Sequence, residues 1–375
     1  MPNLVVLDLP AGDAFVAALR RVWEGGDAAL PLDPRLPAPA RAELVEAMAP
    51  GAVIGGDGER RSLAGGREVE PGDALVVATS GTTGAPKGVV LTHEALDASA
   101  AATSARLEVD PRRDRWLACL PLAHMGGLGV VVRALRSSTP LVVHERFDPA
   151  AVDEAARRGA TLVSLVPTAL GRVDATPFRR ILLGGAAPAR TVPPNVVATY
   201  GLTETGGGVV YDGEPLDGVE VRTGDGTLGA EGEVLVRAPM LLRAYRDGRD
   251  PRLAGGWLPT GDGGRVDDLG LLHVDGRLTE VVLTGGEKVW PAAVEAILRT
   301  HPAVADVQVV GRPDPEWGEL VVALVVPRDR RQPPALDELR DHVKRTAAPW
   351  AAPRHLEMVE SLARTPSGKL RRPVR

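Results

Sequence analysis

Short unbroken apolar runs punctuate the first two hundred residues: Asp73-Ala-Leu-Val-Val-Ala78, Leu141–Val143, Leu162–Val166, Ile181–Leu183 and Val196–Ala198. Runs this short, without alternation, predict strands buried on both faces. Between them lie segments of helical character, such as Pro149–Arg158 with Asp148 at the N-cap position and a second helix beginning over Thr92–Ala102. Alternating strands and helices predict an α/β core. From about Val219 the texture changes to VEVRTGDGTLGAEGEVLVRA, strand-like runs parted by Gly and Asp turns, which predicts a β-rich subdomain over about 215–276. Beyond it the order helix (Pro291–Arg299), strand (Val304–Val310), strand (Leu320–Val326), helix (Ala335–Thr346) predicts a compact α+β module. The expected fold class is α/β, with a large N-terminal domain of layered sheets and helices over 1–278, including the β-rich subdomain, and a small α+β domain over 279–375. PRDRRQPP at 327–334 is the most linker-like stretch, but flanking apolar segments make it a loop within the small domain.

Composition narrows the class without choosing the chemistry. The 375 residues are 44% apolar and 25% charged with a net charge of −5, an ordinary soluble globular balance. Arginines are scattered among acids with no basic face, which argues against nucleic acid as a partner. The single cysteine, Cys119, excludes an internal disulfide and fits a reducing compartment. MPNLVVLDLPAGD has no basic leader ahead of its apolar stretch, and no apolar run approaches a membrane span, so the expected location is the cytoplasm. Gly 43 and Pro 33 imply many turns, where substrate sites often lie. A homo-oligomer is left open.

Residues 78–94, ATSGTTGAPKGVVLTHE, carry the first chemical signal. Thr79, Ser80, Gly81, Thr82, Thr83, Gly84 and Gly88 offer hydroxyls, free amides and close backbone approach, and Lys87 adds one cation: a phosphate cradle between a buried strand and a helix. The spacing is not that of the Walker P-loop, so a Walker-type NTPase is disfavoured. A Gly/Thr surface loop with no ligand is the competing reading of this stretch alone. Gly224-Asp-Gly-Thr-Leu-Gly229 matches G-x-G-x-x-G but runs into strand-like GEVLVRA, so it is read as a turn. The seven histidines show no metal-ligand spacing, and no G-x-S-x-G elbow occurs.

Four further stretches follow in order: Gly184-Gly-Ala-Ala-Pro188 and Tyr200-Gly-Leu-Thr-Glu204 after buried strands, Pro259-Thr-Gly-Asp262 read as a turn, and Arg364-Thr-Pro-Ser-Gly-Lys369 near the end. With Thr79–Gly88 they resemble the acyl-adenylate-forming family of acyl-CoA synthetases, peptide-synthetase adenylation domains and firefly luciferase, from about residue 25 onward. The resemblance implies ATP-dependent activation of a carboxylic acid, with ATP and Mg²⁺ as cofactors and CoA as co-substrate. It implies ATP binding by Thr79, Ser80, Gly81, Thr82, Thr83, Gly84 and Lys87 at the phosphates and by Gly184, Gly185, Ala186, Tyr200 and Gly201 around the nucleotide. Thr203 would meet the α-phosphate and Glu204 the Mg²⁺; Asp262 would hold the ribose hydroxyls, and Arg277 would reach ribose or phosphate. Lys369 matches the catalytic lysine that bridges carboxylate and α-phosphate as charge builds in the transition state. The junction after Arg277 matches a hinge, making the small domain mobile, and Gly285, Gly286 and Lys288 match the loop lining the thiol's path. Two positions depart: Thr279 stands where relatives commonly have Asp or Lys, leaving the hinge residue unassigned, and Ala198 stands where Asn is frequent.

The late start of the cradle implies a reduced N-terminal part, as in short o-succinylbenzoate–CoA ligases. Leu120-Pro-Leu-Ala-His-Met-Gly-Gly-Leu-Gly129 with Arg133, and Phe147-Asp-Pro followed by Ser164-Leu-Val-Pro-Thr168, look like those enzymes. Their substrate carries two carboxylates and a ring, so its pocket needs a cationic or strong donor group and small residues. His124 and Arg133 are the candidates, His124 also being placed by the resemblance beside the reacting acyl group, with Ser164, Thr168 and Gly206–Gly208 as lining. A ligase for another aryl or short-chain acid, a freestanding amino-acid adenylation domain, and a non-catalytic nucleotide-binding protein are the alternatives.

Overall fold

The structure is a computed structural model and describes residues 1–80, 86–185, 192–224, 226–364 and 370. The chain groups into two units, one of residues 1–221 and 236–258, the other of residues 222–235 and 259–375.

Two seven-stranded sheets form the first unit. One runs in the order Ala244–Tyr245, Pro86–Thr92, Asp73–Ser80, Ala28–Pro31, Leu4–Leu7, Ala52–Ile54, Arg60–Ser62. Its centre is parallel, and the pairing of Asp73–Ser80 with Pro86–Thr92 is antiparallel. The second runs Glu214–Pro215, Gly207–Tyr211, Val196–Leu202, Arg180–Leu183, Leu162–Leu165, Trp116–Ala118, Leu141–Val143. The five strands from Val196–Leu202 onward are parallel; Leu162–Leu165 is buried throughout as its apolar run predicts, whereas Leu141–Val143, at the edge of the sheet, is only half-buried. Helix Asp13–Glu24 buries Phe15, Ala18, Leu19 and Val22, one face at helical spacing. Helix Met125–Arg136 is buried on almost every side. Helix Pro149–Arg157 starts where Asp148 accepts a hydrogen bond from the Ala151 N–H.

The cradle differs from its expected setting. Residues 86–92 form a strand antiparallel to Asp73–Ser80, and the helix His93–Arg106 begins only after it, capped by the Thr92 hydroxyl. The two strands that flank the cradle in sequence are thus an antiparallel pair, because Val89, Val90 and Leu91 bury as a strand before the cap arrives. The Pro259–Asp262 stretch is likewise not a turn but part of the long strand Leu258–Val266.

The second unit's β-rich part is the sheet Glu220–Thr223, Gly232–Arg237, Leu258–Val266, Leu272–Arg277. Residues 224–231 connect its first two strands, the position of the GDGTLG stretch. A five-stranded sheet follows, Glu287–Val289, Val282–Thr284, Gly318–Pro327, Val304–Asp314, with His355–Met358 on Gly318–Pro327. Helices Pro291–Leu298 and Leu336–Lys344 cover a core of Val282, Val294, Leu298, Val307, Val309, Val321 and Leu339. By its contacts the β-rich sheet groups with this module. Among the described residues no helix is long and apolar enough to cross a membrane.

Candidate active site

In the first unit the hairpin register sets Thr79 opposite Lys87 and Ser80 opposite Pro86. The Thr79 hydroxyl donates to the Lys87 carbonyl at 3.5 Å. Lys87 is half-buried, and its Nζ stands 5.7 Å from the centre of the Tyr245 ring. Gly81, Thr82, Thr83 and Gly84, with Ala186 and Lys369, lie outside the described residues.

Strand Val196–Leu202 delivers Tyr200 and Gly201, and the 3-10 turn Thr203–Thr205 follows at once. The turn is locked by Thr205, whose buried hydroxyl accepts from the Leu202 N–H at 2.8 Å and contacts the Gly207 carbonyl oxygen at 2.6 Å. A Cβ on Gly201 would overlap the Gly207 carbonyl, so the tight return into strand Gly207–Tyr211 needs glycine there. Glu204 projects from this turn, and the Tyr245 hydroxyl donates to its Oε1 at 3.0 Å. Gly184 and Gly185 follow strand Arg180–Leu183, the first tied to the Leu165 carbonyl and the second at φ +85°.

The acyl candidates separate into two settings. His124 precedes helix Met125–Arg136, and its Nε2 lies 3.5 Å from Oδ2 of the buried Asp33. Asp33 is gripped at both oxygens by Arg35; burial alone would raise its carboxyl, but the Arg35 hydrogen bonds outweigh burial and hold it below the usual range. Arg133, from the same helix, is only 6% exposed. Its Nη2 donates to the Ser164 hydroxyl at 3.1 Å, and its guanidinium sits 5.0 Å from the Trp116 ring centre. Burial pushes the guanidinium's affinity for its proton down. No carboxylate pairs with Arg133 among the described residues, and its Nε has no hydrogen-bond partner there. Gly129, one turn earlier, makes the room: a Cβ there would stand 3.2 Å from Nη1. Thr168 is exposed on the short helix Pro167–Leu170, and Gly206 and Gly207 take φ values of +65° and +123°.

In the second unit Asp262 and Arg277 are register partners on adjacent strands, with Arg277 Nε 3.0 Å from Asp262 Oδ1. Arg277 Nη1 also donates to the Thr260 carbonyl at 2.8 Å. Asp262 is 6% exposed, and its N–H is held by the Thr260 hydroxyl. Gly285 (φ +58°) and Gly286 (φ +85°) make the turn between strands Val282–Thr284 and Glu287–Val289, with Lys288 exposed beside it. The Gly285 N–H donates to the Trp317 carbonyl at 2.9 Å, and Arg354 lies 3.6 Å over the Trp317 ring. Thr279 and Glu280 fall in the 3-10 turn Leu278–Glu280 directly after Arg277.

Sequence reasoning missed Tyr245, Asp33, Trp116 and the Trp317–Arg354 stack. Tyr245, Asp33 and Trp317 each lie far along the chain from the motif residue they touch, and Trp116 stands just outside the Leu120–Gly129 stretch. The one available signal was rarity, since the chain has only three tyrosines.

Two family models match the chain: AMP-binding enzyme over residues 60–246 and AMP-binding enzyme C-terminal domain over residues 293–369. A probable 2-succinylbenzoate–CoA ligase of Mycobacterium tuberculosis is 38% identical over 394 aligned residues, covering 98% of this chain and 96% of that one. The o-succinylbenzoate CoA synthetase of Bacillus subtilis, solved with its acyl-adenylate intermediate, superposes with a TM-score of 0.85 at 28% identity, covering 98% of this chain and 87% of that one. The same protein solved with ATP and magnesium gives a TM-score of 0.85 and covers 88% of that chain.

Proposed function

This chain belongs to the AMP-binding enzyme family, and from that premise we propose that it activates o-succinylbenzoate with ATP and passes the acyl group to CoA. The observation that carries the choice of acid is Arg133. A buried guanidinium without a carboxylate partner is costly unless an anion completes it, and a diacid brings one carboxylate to be activated and a second to be held. Arg133 and Ser164 offer that second carboxylate a charged and a neutral donor, with the Trp116 face alongside. A monoacid would leave the guanidinium as it stands.

In the first half-reaction a carboxylate oxygen attacks the α-phosphorus in line, the bond to the β-phosphate oxygen breaks, and pyrophosphate leaves. Thr79 and Lys87, with the cradle residues, would hold the departing phosphates. Tyr200 offers a face to the adenine, Thr203 a hydroxyl to the α-phosphate, and Asp262 a carboxylate to the ribose hydroxyls beside Arg277. His124, oriented by Asp33, would stand at the entering carboxylate, and Lys369 would bridge it to the α-phosphate. The residues fit Mg²⁺ arriving on the nucleotide: Glu204 supplies one hard oxygen, and among the described residues no group of three acids, histidines or cysteines forms a cage. When bound, the ion neutralises charge on the phosphates. In the second half-reaction the CoA sulfur attacks the acyl carbon and AMP leaves with its electron pair. Gly285 and Gly286 keep that path open, with the Trp317 ring and Arg354 available beside it. We propose 278/279 as the boundary about which the smaller domain turns, and the cytoplasm as the location.

The test is mass spectrometry of products after incubating the purified chain with ATP, Mg²⁺, CoA and a panel of acids. We expect the thioester of o-succinylbenzoate with AMP, not ADP. A thioester of another acid alone would remove the proposed substrate and keep the chemistry.

A further inference from the structure

We propose that Tyr245 is a positioning residue of the nucleotide site, its hydroxyl holding Glu204 for the metal and its ring holding Lys87 for the phosphates, so that the two opposite charges do not neutralise each other before ATP arrives. This rests on the reading of Glu204 and Lys87 given above.

The backbone around Tyr245 is a brace between the two elements it serves. The Ala244–Tyr245 strand pairs antiparallel with Val89 and Val90 of the Lys87 strand. The Arg243 N–H donates to the Val90 carbonyl at 2.9 Å and the Arg246 N–H to the Gly88 carbonyl at 2.7 Å. On the other side the Leu242 N–H donates to the Glu204 carbonyl at 2.8 Å. The brace is anchored at both ends. Arg243 grips the buried Asp73 through Nε and Nη2 at 2.8 and 2.9 Å. Arg246 spreads its guanidinium over the carbonyls of Met48, Glu68 and Ala49. Gly88 allows the approach, since a Cβ there would stand 2.8 Å from the Arg246 Cβ. The tyrosine is closed into its own turn, its N–H donating to the Arg249 carbonyl at 2.8 Å, and Arg249 also faces the ring at 4.8 Å.

The choice of tyrosine follows from charge. A lysine or arginine in its place would fix the Glu204 carboxylate by cancelling it; a neutral hydroxyl donates one hydrogen bond to Oε1 and leaves the negative charge and Oε2 for a cation. The electron-rich ring attracts the Lys87 ammonium weakly enough to release it to a phosphate. Among the described residues neither Glu204 nor Lys87 makes an ion pair, as this arrangement requires.

The experiment uses the full chain, with Mn²⁺ in place of Mg²⁺ read by electron paramagnetic resonance in the presence of ATP, and calorimetry of ATP binding with all metal chelated. Tyr245→Phe keeps the ring and loses the hydroxyl: its Mn²⁺ affinity with ATP present should fall about tenfold or more, while metal-free ATP binding stays within about twofold of wild type. Tyr245→Leu should show the same metal loss and in addition bind metal-free ATP several-fold more weakly, since Lys87 has lost its ring. Wild-type Mn²⁺ affinity in Tyr245→Phe overturns the proposal, and that variant decides even if Tyr245→Leu does not fold. A wild-type chain that binds no ATP at all overturns the nucleotide-site reading instead, and this proposal with it.

Discussion

Arg133 shows how much a single residue can carry. Among the described residues the positive charge lies against Trp116 and the Ser164 hydroxyl, with its Nε unmatched, an expensive state that stability alone does not favour. Replacing it with methionine removes a buried unpaired charge and keeps much of the volume, so Arg133→Met should fold at least as well as the wild type. If the guanidinium holds the second carboxylate, the loss of a charge-assisted bond worth about 1.5–3 kcal/mol should raise KM for o-succinylbenzoate roughly ten- to a hundredfold. Turnover of an aryl acid with one carboxylate should be unaffected or improved. Steady-state kinetics on the two acids decide it, and an equal loss on both would place Arg133 in the scaffold. Little of this was legible in the sequence. Helix Met125–Arg136 is apolar nearly all round, so its periodicity did not say which way Arg133 points, and Gly129, which makes its space, is one glycine among 43.

Elements were read more securely where burial and local signals agree. Strands Leu162–Leu165 and Arg180–Leu183, and the helix starting after Asp148, stand where apolar runs and a capping residue put them. The antiparallel strand after the cradle and the strand through Asp262 escaped because glycine and threonine mark turns locally, whereas strand pairing decides here: Asp262 opposite Arg277, and Thr79 opposite Lys87. The Gly285–Gly286 turn sits at the other extreme, with both residues at positive φ, as their spelling suggests. The two glycines are not equivalent. A side chain on Gly285 meets the Trp317 ring at 3.0 Å, whereas Gly286 has open space around it. Gly286→Trp is therefore the cleaner probe of the thiol path, with Gly286→Ala reporting the backbone strain of about 1–2 kcal/mol by itself. Pyrophosphate release in the first half-reaction should survive both substitutions, and thioester formation should fail only in the tryptophan variant. Unimpaired thioester output from Gly286→Trp would take the turn off the CoA path.

At the scale of the whole molecule the proposal makes one chain perform two displacements that need different charges. Forming the adenylate brings a carboxylate against a polyphosphate, two anions meeting, so a cation must lie between them as negative charge accumulates. Forming the thioester brings a sulfur nucleophile to an activated carbonyl and expels AMP; the electron pair goes to the α-phosphate oxygen, but no carboxylate has to be driven against a polyphosphate, so the need for a cation bridging two anions is smaller. A lysine serving only the first step can be withdrawn during the second, and its placement far along the chain from the nucleotide motifs suits a group that is delivered rather than built in. Lys369→Ala should thus cut adenylate formation, followed by pyrophosphate release, by about a hundredfold or more. The same variant, given synthetic o-succinylbenzoyl-adenylate and CoA, should produce thioester within a few-fold of the wild-type rate. Arg277 supplies the contrast, because it lies against Asp262 and would hold the ribose in both steps. Arg277→Ala should slow both half-reactions together, so the pair of variants separates a residue that belongs to one step from one that belongs to the nucleotide. If Lys369→Ala loses both steps equally, the division of labour is wrong, and the lysine holds the nucleotide as Arg277 does.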